Sequence, residues 1–351
     1  LNGIPNGAML VTMPASVLSA YRERLAAADV LPVAGRVVRT VGLLVESIGP
    51  PASVGDICQL SRSRGEPPLF LEVVGFRDGR LLAIPLGSTS RIQAGDRLIK
   101  QTTLSTAPAG PELLGRVLDG LGRPIDGKGP LGASASSPLH PPPLNPLARD
   151  SIVAPLGTGV RAIDALLTVG RGQRVGVFGG SGVGKSTLLG MMARYTAADV
   201  AVIGLVGERG REVRSFIEHD LGAEGLSRAV VVASTSDNPP LVRLRAVHTA
   251  TAAAEWFRDR RGANVLLLVD SLTRVARAQR EVGLSAGEPV ARHGYPPSVF
   301  ALLPRLVERA GATRAGAITA LYTVLVAGND LDEPIADEVR GLLDGHVVLD
   351  R

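Results

Sequence analysis

The sequence predicts an α/β chain, with a mostly parallel sheet core behind a small N-terminal antiparallel β-barrel. Three observations carry that expectation. Short β-rich runs split by turn residues fill positions 34–104. From position 151 onward, continuous apolar runs alternate with segments of helical periodicity. A glycine-rich loop with a single lysine stands between the run at 174–178 and the helical segment that follows it.

Taken in chain order, residues 1–30 are expected as an N-terminal helical segment, a loose terminus at 1–14 followed by a short helix at 15–28. Val17, Leu18, Tyr21 and Leu25 recur there at helical spacing, and a helix this short must dock on something to persist. In the next domain, 31–104, β-rich runs cover 35–42, 43–48, 55–60, 69–75, 81–84 and 96–99. Gly49-Pro50-Pro51, Asp78-Gly79 and Gly95-Asp96 supply turns between them. Short strands at regular intervals close into a barrel, here one of six strands. Residues 105–150 are rich in Pro, Gly and Ser and read as a stiff connector entering the core. In the final domain, 151–351, apolar strands are expected at 174–178, 200–206, 229–233, 265–269 and 317–325. Helices are expected at 185–197, 211–221, 241–258, 274–281 and 298–309. Strands that are apolar throughout are buried on both faces, as in a parallel sheet covered by helices.

Composition removes several classes of function. With 45% hydrophobic and 20% charged residues, the 351-residue chain is globular rather than disordered. Its apolar runs are of strand length, well short of the roughly 20 residues that cross a bilayer. Cys58 is the only cysteine, so no internal disulfide forms, as suits a reducing compartment. A net charge of +5 invites a nucleic-acid partner, but aromatics are only 3% of the chain. The barrel segment holds only Phe70 and Phe76, too few for a base-stacking platform, and no nucleic acid is expected. No two histidines have metal-ligand spacing, so no zinc is assigned.

The chemistry is concentrated in four places. Gly179, Gly180, Ser181, Gly182, Val183, Gly184, Lys185, Ser186 and Thr187 fit G-x-x-x-x-G-K-[ST] between a strand and a helix. Glycines let backbone N–H groups turn inward around phosphate oxygens, and the helix aims its positive end at the same point. Lys185 is one of three lysines among 38 basic residues. A slim ammonium fits between phosphates where a planar guanidinium fork does not. The Ser186 hydroxyl is a Mg²⁺ ligand. Asp270 ends the apolar run 265–269 at the edge where α/β sheets bind ligands, and so reaches the Mg²⁺ directly or through water. Glu208, in Gly207-Glu208-Arg209, ends the preceding strand and is the candidate to polarise an attacking water. A solvated surface turn reads equally well there. Arg209 either holds the phosphates or pairs with Glu208. Arg274 lies one helical turn past Asp270, open to a contact with Glu208, to a neighbouring subunit, or to an i,i+4 pair with Asp270.

These motifs resemble the ATPase of type III protein export and, more distantly, the catalytic subunit of the rotary ATP synthases. The resemblance rests on the loop 179–187, Gly207-Glu208-Arg209, 270–274, Gly294-Tyr295-Pro296-Pro297, and the run from Asp344 to Arg351. The runs 116–127 and 161–166 fit the same family. Pro239-Pro240-Leu241-Val242-Arg243 and Ala278-Gln279-Arg280-Glu281 look closer to its flagellar members. Val290 after Gly287-Glu288-Pro289, and Asp350 near the end, depart from the usual pattern.

The resemblance implies a RecA-like P-loop NTPase core, a homohexameric ring with nucleotide at subunit interfaces, and Mg²⁺ with ATP. It makes Glu208 the catalytic carboxylate. It implies an ATP hydrolase that releases or unfolds export cargo, cytoplasmic and peripheral to the inner membrane. It also implies partners: a stator-like regulator on residues 1–30, a central stalk protein, export chaperones with cargo, and the export gate. The alternatives are a nucleotide-binding subunit of a rotary ATPase and a non-catalytic ring subunit. The family continues beyond residue 351 with an adenine-packing aromatic, an arginine finger and a helical domain. Without the finger, slow hydrolysis is expected.

Overall fold

The computed structural model describes residue 22 and residues 33–61, 67–101, 105–132, 135–180, 182–326 and 330–350. The expected N-terminal helix at 15–28 lies, but for Arg22, outside the described residues.

Six strands form the first unit: β1 (Ala34–Val41), β2 (Leu44–Ile48), β3 (Ile57–Ser61), β4 (Leu69–Arg77), β5 (Arg80–Pro85) and β6 (Arg97–Gln101). They close as an antiparallel barrel in the order β1-β2-β5-β4-β3-β6. Alternation along β4 turns Leu69, Leu71 and Val73 inward, where they meet Val37, Val45, Leu60 and Leu98. Closure leaves no open edge to pair with another chain.

The segment 105–150, expected as a connector, carries strands of its own. β7 (Thr106–Ala109) pairs with β9 (Ala135–Pro138), and β8 (Arg116–Asp119) joins the core sheet beside a strand more than 100 residues later. The sequence hid β8 because its apolar part is only Val117 and Leu118 between glycine turns. What holds it is the Asp126 carboxylate, which accepts from Arg116 Nε at 2.7 Å and Nη2 at 3.0 Å, and from the backbone N–H of Val117 and Lys128.

The core sheet is built from β10 (Arg174–Gly179), β11 (Val200–Glu208), β12 (Ala229–Thr235), β13 (Asn264–Asp270), a short β14 (Gly311–Ala312), β15 (Ala317–Leu325) and β16 (Gly345–Leu349). Its order is β16-β10-β15-β13-β11-β12-β8; these strands run parallel, and only β14 pairs antiparallel, with β15. The helices are α1 (Arg161–Leu166), α2 (Lys185–Tyr195), α3 (Gly210–Ser215), α4 (Gly222–Ser227), α5 (Pro240–Arg261), α6 (Leu272–Ala286), α7 (Pro297–Val307) and α8 (Pro334–Leu342). A π-helical stretch, Phe216–Leu221, forms the second half of the helix expected at 211–221 and leads into α4, which the sequence reading does not include. The sequence reading did not include β16 or α8; both are short, and β16 is only half-buried at the sheet edge.

Helices cover both sheet faces. Val265, Leu267 and Val269 of β13 pack toward α5, α6 and α7, while Leu266 and Leu268 pack toward α2. Helix α5 is buried nearly all round, which its run of small residues, Ala252, Ala253 and Ala254, permits. The barrel sits on this helical side. Leu82, Ile84 and Leu86 share its apolar cluster, Glu72 pairs with Arg245 of α5 at 3.2 Å, and Arg77 donates to Ala286 O at 2.9 Å.

Candidate active site

Three strands deliver the site. β10 ends in the glycine loop, β11 ends in Glu208 and β13 ends in Asp270. All are parallel, so all three ends lie at one edge of the sheet. β10 and β11 follow one another along the chain, yet β15 and β13 lie between them. Such a reversal of strand order opens a crevice at the carboxyl edge. A cleft of about 440 Å³ occupies it, with Lys185, Ser186, Glu208, Asp270 and Arg274 in its lining.

The loop turns into helix α2 through Gly182 and Gly184, at φ 79° and 93°. Those conformations suit glycine and put the first helical N–H groups against the cleft. Ser181 lies outside the described residues. Lys185 is 7% exposed. Its ammonium is turned back on the loop and donates to Gly179 O at 2.7 Å and to Gly180 O. Burial lowers its pKa, while the charges of Asp270 and Glu208 hold it up.

Across the cleft floor, Ser186 Oγ lies 3.3 Å from Asp270 Oδ2. The other carboxylate oxygen, Oδ1, accepts from Thr323 Oγ1 at 2.6 Å. A hydroxyl beside a carboxylate is a set of hard oxygen donors of the kind Mg²⁺ takes, so the residues present fit that ion.

Glu208 faces inward with its side chain 13% exposed. Arg274 Nη2 donates to its Oε2 at 2.9 Å, and Arg274 Nη1 donates to Gly207 O. Of the readings open for Arg274, the structure shows the contact with Glu208. Ser271 accepts from Arg274 N at 3.4 Å as N-cap of α6, which aims the guanidinium at the end of β11. The carboxyl of Glu208 is pushed up to about 8, by burial first and then by Asp270 nearby. Arg274 opposes this rise, and a hydrogen bond with Glu212 adds to it. That same bond holds the Glu212 carboxyl below its ordinary range.

Arg209 does not pair with Glu208. Gly207 at φ 71° sends Glu208 in, and Arg209 turns out to 66% exposure as the residue before α3, 3.4 Å from Glu212. The sequence reading missed Glu212 and Thr323. Glu212 carried a signal, a second carboxylate one helical turn after Glu208. Thr323 carried none, because only strand order places it beside Asp270.

Comparison with known proteins shows the family. Residues 159–351 match the ATP synthase alpha/beta family, nucleotide-binding domain. The chain is 55% identical to the flagellum-specific ATP synthase of Bacillus subtilis, over 90% of this chain and 72% of that protein. It is 52% identical to the type 3 secretion system ATPase of Xanthomonas euvesicatoria, over 90% and 72% of the two. Among solved structures, the assembled ATPase EscN of the enteropathogenic E. coli type III secretion system superposes with a TM-score of 0.83. It is 44% identical, with 90% of this chain and 75% of that one covered. A second structure holds EscN in complex with its central stalk EscO, at a TM-score of 0.82 and 45% identity. A nucleotide-binding domain matched over more than half of the chain, with relatives at this identity along nearly all of it, settles the kinship: the chain belongs to the ATP synthase alpha/beta family, in the branch of the flagellar and type III export ATPases.

Proposed function

We propose that this protein hydrolyses Mg-ATP to drive protein export through a flagellar or type III apparatus. The observation that carries the reading is the convergence of a lysine-bearing phosphate loop, a hydroxyl–carboxylate pair and a buried, arginine-paired glutamate on one cleft. The loop N–H groups and Lys185 bind the phosphates, the ammonium exchanging the carbonyls of Gly179 and Gly180 for phosphate oxygens. Ser186 and Asp270 hold Mg²⁺, which when bound neutralises charge on the phosphate oxygens. Glu208 orients the attacking water and accepts its proton. A carboxyl with a pKa near 8 is a stronger base than a free one, matched to work near neutral pH. Arg274 fixes the carboxylate and places positive charge beside it. Arg209, exposed beside Glu212, adds positive charge to the phosphate environment.

The assembled relative supports a ring of copies of this chain, and the relative bound to its stalk supports a central stalk partner. Export chaperones, their cargo and an export gate complete the set, with residues 1–30 as the place for a stator-like regulator. Among the described residues no helix is long and apolar enough to cross a membrane, which suits a protein peripheral to the inner membrane.

Mg-dependent ATP hydrolysis measured over a range of protein concentrations, with Glu208→Gln beside the wild type, tests the proposal. Turnover that rises with concentration and falls by about 10²–10⁴-fold in the variant, with ATP binding kept, is expected. Turnover undiminished in the variant removes Glu208 from the reaction.

A further inference from the structure

We infer that Thr323, through its hydroxyl, is a positioning residue that sets the orientation of the Asp270 carboxylate toward Mg²⁺.

Thr323 is 0% exposed, inside the apolar run of β15. A buried hydroxyl needs a partner, and two are within range. Val269 O lies at 3.4 Å and Asp270 Oδ1 at 2.6 Å. A hydroxyl has one proton, and the short distance to a charged acceptor assigns it to the carboxylate. Register explains the meeting. Val269 of β13 sits opposite Tyr322 of β15, so the next residue on each strand, Asp270 and Thr323, arrive side by side at the carboxyl edge.

The bond has a directional consequence. With Oδ1 tied to β15, the carboxylate cannot spin about its bond to Cβ, and Oδ2 is left facing Ser186 Oγ at 3.3 Å. Asp270 is itself 5% exposed, so little water is available to replace the threonine. A second threonine steadies the anchor. Thr323 is two residues before Leu325, whose N–H donates to Thr273 Oγ1 at 2.9 Å, so the end of β15 is fixed to the first turn of α6. The phosphate loop ends β10 on the other side of β15. Thr323 is therefore on the strand that separates the two halves of the site, and it fastens one of them.

This inference rests on the assignment of Asp270 to Mg²⁺, and the test separates the two. The readout is the affinity of a fluorescent ADP analogue, titrated with Mg²⁺ and repeated in chelator. It is applied to wild type, Thr323→Val, Thr323→Ser, Thr323→Ala and Asp270→Asn. Outer partners of metal ligands typically matter by 10–100-fold in metal affinity. Thr323→Val should raise the Mg²⁺ concentration for half-effect by about that factor, with the affinity in chelator unchanged. Thr323→Ser should restore the wild-type value. Thr323→Ala should behave as the valine variant does, and it stands in if valine fails to fold. If Asp270→Asn loses the Mg²⁺ effect while Thr323→Val or Thr323→Ala keeps it, the positioning role is overturned and the site reading stands. If Asp270→Asn itself keeps the wild-type Mg²⁺ dependence, the assignment of Asp270 fails and the inference falls with it.

Discussion

A carboxylate is a useful base only if it holds a proton firmly enough to take one, and only while it is ionised. Glu208 meets these demands by being buried next to another acid, which pushes its carboxyl up to about 8. The pH profile of kcat/KM reports the free enzyme, so kcat/KM for ATP should climb as pH rises through about 8 and level off above it. Removing Arg274, which holds the ionised form down in energy, should move that climb to higher pH. A flat profile between pH 6 and pH 9 would exclude Glu208 as the base. Lys185 belongs to the same scale. Lys185→Ala removes the ammonium that contacts the loop carbonyls and should abolish ATP binding, read by equilibrium dialysis, without loss of the folded state.

At the level of single elements, the end of β11 matters most. Gly207 takes φ 71°, and a Cβ there would stand 3.2 Å from Arg274 Cδ. Gly207→Ala is thus strained twice, in its own backbone and against the arginine. The expected result is a loss of about 1 kcal/mol of stability and a much larger kinetic effect. Displacing Arg274 from Glu208 should lower kcat by about 10- to 100-fold, measured under saturating Mg-ATP. A drop in stability with kcat intact would mean that the Arg274–Glu208 pair is not needed for turnover. The β8 turn offers a second case. Asp126 is held well below the usual carboxylate range, first by its hydrogen bond from Arg116. A depressed folded pKa contributes stability that is present above the unfolded value of 3.8 and is lost as pH falls below it. Asp126→Asn should therefore be less stable than wild type at pH 7, with the gap closing in strong acid. Denaturant midpoints across that range check it.

On the scale of the whole molecule, the question is what binds the barrel, the 105–150 segment and the core sheet into one body. Part of the answer is a buried charge cluster behind the sheet. Arg309 donates to Glu255 of α5 at 2.8 and 2.6 Å, to Leu139 O beyond β9 at 2.8 Å, and lies 3.2 Å from His248 Nδ1. The two charged side chains are about one-tenth exposed. Breaking a buried pair from one side leaves a charge without a partner, at a cost of about 3–5 kcal/mol. Arg309→Met should lower the denaturant midpoint accordingly, while Arg309→Met with Glu255→Leu should recover much of the loss. Equal destabilisation in the single and double variants would show that packing, not charge pairing, holds the segment to the core.

The sequence alone determined the local parts. Six alternating strands between turn residues could only pair antiparallel and close. Five apolar strands between helices required a buried parallel sheet. The phosphate loop could be read because its function is written in consecutive residues, with glycines for backbone shape and lysine for charge. The position of Asp270 and Glu208 at strand ends was legible for the same reason. Their partners were not. Which arginine meets Glu208, which hydroxyl holds Asp270, and whether 116–119 is a linker or a strand depend on the order of strands in the sheet. That order brings together residues 53 apart at Asp270 and Thr323 and 66 apart at Glu208 and Arg274. Hydrophobic periodicity records only which face of an element is buried, and not which element covers it. Neighbours across the sheet are set by packing of the complete core, so the charge on Glu208 and the aim of Asp270 were decided by the tertiary structure.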